Sequence, residues 1–68
     1  MKIENLVEEE KQLLVSIINY KSKESHPMAT MDNLKYFVKD YVKHLVKVAM
    51  KDLTSEGQAL AYSIIEKI

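Results

Sequence analysis

The fold turns on residues 34–51, Leu34-Lys35-Tyr36-Phe37-Val38-Lys39-Asp40-Tyr41-Val42-Lys43-His44-Leu45-Val46-Lys47-Val48-Ala49-Met50-Lys51. Lysine recurs at every fourth position, at Lys35, Lys39, Lys43, Lys47 and Lys51, and apolar residues fill most of the gaps. A spacing of four on a period of 3.6 places successive lysines on neighbouring helical turns. The stretch, which holds no glycine or proline, therefore predicts one long helix over about 31–53, with a basic ridge outside. At about 100° per residue, its apolar residues cover an arc of roughly 200°, about twice what one neighbouring helix covers. The surplus predicts contact with two other helices, or burial against a second copy of the chain. The residues assigned to core or self-association are Phe37, Val38, Tyr41, Val42, Leu45, Val48 and Ala49.

Outward from this segment, two shorter helices are expected. Asn5 with Glu8 three residues later reads as a capping box, opening a helix over about 6–22. Its acidic first turns, Glu8–Glu10, suit the helix dipole, and Leu6, Val7, Leu13, Leu14, Ile17 and Ile18 form its apolar stripe. Glu10 interrupts the stripe and is expected at its exposed margin. Residues 22–30 form a connector broken by Pro27, after which Thr30 or Asp32 caps the central helix. Ser55 and Gln58 read as a second capping box, opening a third helix over about 55–67. Leu60, Ala61, Ile64, Ile65 and Ile68 form its buried side, with the last turn docked. The expected fold is all-α, one domain over 1–68, a three-helix domain with a long central helix that self-associates.

Composition narrows the function. A chain of 68 residues buries only about 60% of its unfolded surface and is marginal alone. Stability at this size comes from disulfides, a metal, tight helical packing or oligomerisation. Cysteine is absent and the two histidines, His26 and His44, are far apart. Disulfides, thiolate chemistry and a four-ligand metal site are therefore not expected. No cofactor and no small-molecule substrate are expected either. No apolar run reaches the about 18 residues of a membrane span, and the start lacks the apolar stretch of a secretory signal, which fits a cytoplasmic protein.

Charge sums to zero but is unevenly placed. Residues 1–20 carry Glu4, Glu8, Glu9 and Glu10 against Lys2 and Lys11; residues 31–53 carry the five lysines against Asp32, Asp40 and Asp52. Every cation is lysine, so arginine, the commonest reader of guanine edges and bidentate clamp of phosphate, is missing. Any nucleic-acid binding would be weak and non-specific. Asp40 and His44 stand four apart on the expected helix, but no nucleophile accompanies them, so no catalytic residue is assigned. Tyr41 and Tyr62 are expected at the core margin, and His26 in solvent. The candidate binding surface is Lys35, Tyr36, Lys39, Lys43, Lys47, Met50 and Lys51.

Leu53-Thr54-Ser55-Glu56-Gly57-Gln58-Ala59-Leu60 resembles the Leu-Thr-x-x-Gly-x-x-Leu stretch that follows the wing in winged-helix transcription regulators. Val42–Lys47 is loosely similar to their recognition helix. The resemblance covers under a third of the chain and leaves only Val48–Asp52 for the β-hairpin wing. Two functions are therefore in view. The first is a small non-enzymatic regulatory or inhibitory protein that binds another protein and forms a homo-oligomer. The second is a degenerate helix-turn-helix or winged-helix-like module that lays the lysine ridge on DNA phosphates.

Overall fold

A computed structural model describes residues 1–22 and 28–68, and among them every regular element is helical. Helix α1 spans Glu8–Ser22, α2 Lys39–Ala49 and α3 Ser55–Lys67. Short 3-10 turns at Leu34–Tyr36 and Met50–Asp52 precede and follow α2. The all-α, three-helix expectation is thus met, with α3 at the expected place.

The central segment is not one long helix. Phe37 (φ −76°, ψ 147°) and Val38 (φ −73°, ψ 130°) are extended, and they separate the first 3-10 turn from α2. Residues on both sides of the break enter one core. Leu34 is fully buried before the break, as are Val42 and Val46 after it. A straight helix of more than 20 residues would run past a partner as short as α1; the two extended residues let both ends turn inward. Local propensity did not encode this, because no glycine or proline marks the break.

The helix starts also differ from the reading of the caps. Helix α1 begins two residues later than expected, with Lys11 N donating to Val7 O at 3.0 Å. Val7 N donates to Glu10 Oε1 at 2.9 Å, so Glu10, not Glu8, reaches back over the first turn. Glu10 is not at an exposed margin: it is 1% exposed. Lys67 Nζ donates to its Oε1 at 2.8 Å, and the Ser63 hydroxyl bonds to the same carboxylate. Val7, placed in the buried stripe by spacing, is exposed. At α3 the cap is Thr54 rather than Ser55; its Oγ1 accepts from Gly57 N at 3.1 Å. Gln58 instead turns its side-chain amide to Met50 O (3.1 Å) and Leu53 O (3.4 Å). Met50 O also accepts from Leu53 N at 3.2 Å, so the Gln58 amide adds a second bond to the turn that follows α2.

Thr30 does cap, but a turn rather than α2. Thr30 N donates to Asn33 Oδ1 (2.7 Å) and Asn33 N to Thr30 Oγ1 (3.2 Å). Asn19 of α1 clasps the backbone of Ala29 from both sides, accepting from its N–H at 2.7 Å and donating to its carbonyl at 3.1 Å. That pair pins the returning chain to α1.

Three contacts fix the direction of the helices. Lys21, near the end of α1, pairs with Asp52 just beyond α2, at 3.0 Å. The Met1 nitrogen donates to Lys35 O (2.7 Å) and Phe37 O (3.0 Å), just before α2 begins. Lys67, the last residue of α3, meets Glu10 in the first turn of α1. Helices α1 and α2 therefore run in the same sense and α3 runs against both. One continuous core joins Leu14, Ile17 and Ile18 of α1 to Val42, Leu45, Val46 and Ala49 of α2 and to Ala61 and Ile64 of α3. Ile68 packs against it, as expected of the last turn.

Candidate interaction surface

The five lysines do not form one ridge. Lys35 lies on the first 3-10 turn, Lys39, Lys43 and Lys47 along α2, and Lys51 on the second 3-10 turn. Only the middle three keep helical phase; the extended residues detach Lys35, and the tighter 3-10 winding at Met50–Asp52 shifts Lys51. Lys39 and Lys47 are exposed and Lys43 is half-buried. Lys35 Nζ sits 5.4 Å from the centre of the neighbouring Tyr36 ring, a cation–π distance. Tyr36 itself is 77% exposed, as expected of a surface aromatic. Met50 is not: it is half-buried against the core, which removes it from the candidate surface.

The residues assigned to core or self-association divide. Val42, Leu45 and Ala49 are buried inside the chain, and Phe37 and Tyr41 pack half-buried against that core. Val38 and Val48 remain exposed. Helices α1 and α3 thus cover most of the 200° arc, and the surplus apolar surface lies elsewhere than the arc suggested. Besides Val38 and Val48 it comprises Val7, Tyr20, Met28, Met31, Tyr36 and Tyr62. Tyr62, expected at the core margin, faces solvent instead, because Ala61 and Ile64 take the buried side of α3. Sequence reasoning missed Met28 and Met31 as surface residues; methionines flanking a connector carry no periodic signal.

No family model matches this chain. Neither does any curated protein or solved structure. The winged-helix resemblance gains no support from the fold, since no strand occurs among the described residues and Val48–Asp52 is helical, leaving no hairpin between the two similar pieces.

Chemically the described surface offers charge and apolar contact. Asp40 and His44 are both exposed, with no hydrogen bond between them among the described residues; His26 lies outside those residues. Among the described residues, no group of three His, Cys, Asp or Glu side chains is placed to hold a metal ion. A groove of about 170 Å³ between the end of α1 and the α2–α3 joint is lined by Leu13, Ser16, Ile17, Tyr20, Ala49, Asp52 and Leu53. That is below the about 300 Å³ at which small-molecule sites begin.

The strongest electrostatic feature is structural. Burial pushes the Glu10 carboxyl up, but hydrogen bonds from Lys67, Ser63 and the Val7 N–H, with the charge of Lys67, outweigh it. They hold the carboxyl at about 2, down from 4.5. No described helix is long and apolar enough to cross a membrane.

Proposed function

We propose that this chain is a small non-enzymatic regulatory protein of the cytoplasm that acts by binding another protein, as a homodimer. The observation that carries the reading is the set of large apolar side chains exposed among the described residues, several of them beside lysines: Val7, Tyr20, Met28, Met31, Tyr36, Val38, Val48 and Tyr62. Exposed tyrosine and methionine are residue types enriched at protein interfaces. The lysines of α2 supply a cationic rim without arginine's planar fork, which favours an acidic protein surface over base-reading in DNA.

The test is capture by the tagged full chain from extract of its native cell, with and without nuclease, beside a Lys43→Gln/Lys47→Gln variant. The expected result is a stoichiometric protein partner that survives nuclease and is weakened by the two substitutions. A duplex-DNA complex of sub-micromolar Kd at about 0.15 M salt, lost on the same substitutions, would overturn the reading in favour of phosphate binding.

A further inference from the structure

The end of the bundle where α1 and α2 begin carries charges of both signs on neighbouring segments. Because the two helices run in the same sense, the acidic first turn of α1 and the basic approach to α2 emerge together. The Met1 contacts with Lys35 O and Phe37 O draw the leading residues onto that same end. On the acidic side, Glu4, Glu8 and Glu9 are exposed; on the basic side, Lys2, Lys35 and Lys39 are exposed, with one carboxylate, Asp40, beside Lys39 in the first turn of α2. None of these seven takes part in an ion pair among the described residues, where the pairs are Lys21–Asp52 and Lys67–Glu10. Val7, Tyr36 and Val38 stand among them at 55%, 77% and 66% exposure.

A patch of one sign asks for a partner of the other. A patch with carboxylates alone on one side and ammonium groups in excess on the other is complementary to itself after a half-turn. Two-fold dimers require that property, since each protomer offers the same surface to its mate. Helices in contact lie about 8–10 Å apart, so a two-fold axis between the starts of α1 and α2 would bring Glu8 and Glu9 of one protomer opposite Lys35 and Lys39 of the other. The apolar trio would be shielded in the same step, in a contact whose centre is apolar and whose rim is charged.

We infer that the second copy of this chain docks end to end on this surface, acidic side to basic side. The inference rests on the self-association in the reading above and names its interface, which takes Lys39, Tyr36 and Val38 and leaves Lys43 and Lys47 of α2 to the other partner.

Sedimentation equilibrium of the full chain at about 1–100 μM tests it, with helicity of each variant read by circular dichroism. The wild type is expected to dimerise within that range. Lys35→Glu/Lys39→Glu and Glu8→Lys/Glu9→Lys should each weaken the dimer at least tenfold. An equimolar mixture of the two should recover a heterodimer at least as tight as the wild type, which a merely misfolded variant would not do. Tyr36→Ser/Val38→Ser should weaken the dimer as well, with charge intact. A wild-type monomer at 100 μM overturns the inference and the self-association together, while capture of another protein would still stand. A dimer unchanged within twofold by either charge reversal overturns this interface alone, as does a mixture that fails to recover.

Discussion

Replacing Glu10 by glutamine tests the ion pair that closes the bundle. The side chain of Glu10 is 2% exposed and that of Lys67 33%, so the two partners bear the loss unequally. Glutamine keeps the shape and can still accept from Val7 N and Ser63, which makes it a mimic of the protonated acid. A carboxyl held at about 2 instead of 4.5 contributes about 3 kcal/mol at neutral pH, at about 1.4 kcal/mol per tenfold change in proton affinity. Removing one partner of a buried pair costs about 3–5 kcal/mol, and the low end applies because Lys67 can return to water.

The sign follows from the lowered folded-state value. The stabilisation is fully present above about pH 4.5 and is lost as the pH falls through 4.5 toward 2. Urea unfolding followed by circular dichroism from pH 7 to pH 2 should show Glu10→Gln less stable by about 3 kcal/mol at pH 7. The two proteins should converge toward pH 2. A difference below about 0.5 kcal/mol at pH 7, the scale of a neutral surface change, or an acid limb of equal slope in both proteins, would show that the contact carries no net stability.

Two further substitutions probe the core and the connector. Leu45→Ala, at a site 7% exposed, should cost about 2–4 kcal/mol in urea unfolding, whereas Val48→Ala at 41% exposure should stay below about 1 kcal/mol; a reversed order would mean α2 is rotated. Asn19→Ala leaves the N–H and carbonyl of buried Ala29 without their partners, a loss of about 2–4 kcal/mol. A thermal melt should show this as a drop of about 10 °C or more in a domain of this size, and a shift under about 3 °C would mean water replaces the clasp.

The helical class and the third helix were legible because both depend on local pattern: a 3.6-residue apolar stripe, a polar cap and an acidic first turn. What was not legible depends on partners distant in sequence. Glu10 broke the stripe of α1, and that interruption was the available signal, but only Lys67, 57 residues later, turns it from a margin residue into a buried one. The break at Phe37–Val38 is set by burial of Leu34 and Val42 against the rest of the chain and has no breaker residue to announce it. For the surface, exposed Tyr36 and the phase of Lys39, Lys43 and Lys47 followed from periodicity. The inward turn of Met50 and the outward turn of Tyr62 did not, since both follow from how α2 and α3 rotate to share α1.

The parallel course of α1 and α2 has a consequence for synthesis. Adjacent helices in a hairpin can meet as soon as the second has been made, but a parallel neighbour requires the chain to travel back first. Ile18 is made well before Val46, its fellow core residue on α2. At about 5–20 residues per second, the roughly 30 residues between them keep the apolar side of α1 uncovered for about 2–6 s of translation. During that interval the apolar residues of α1 have no partner from α2, and a segment of 15 residues is at most marginally helical by itself.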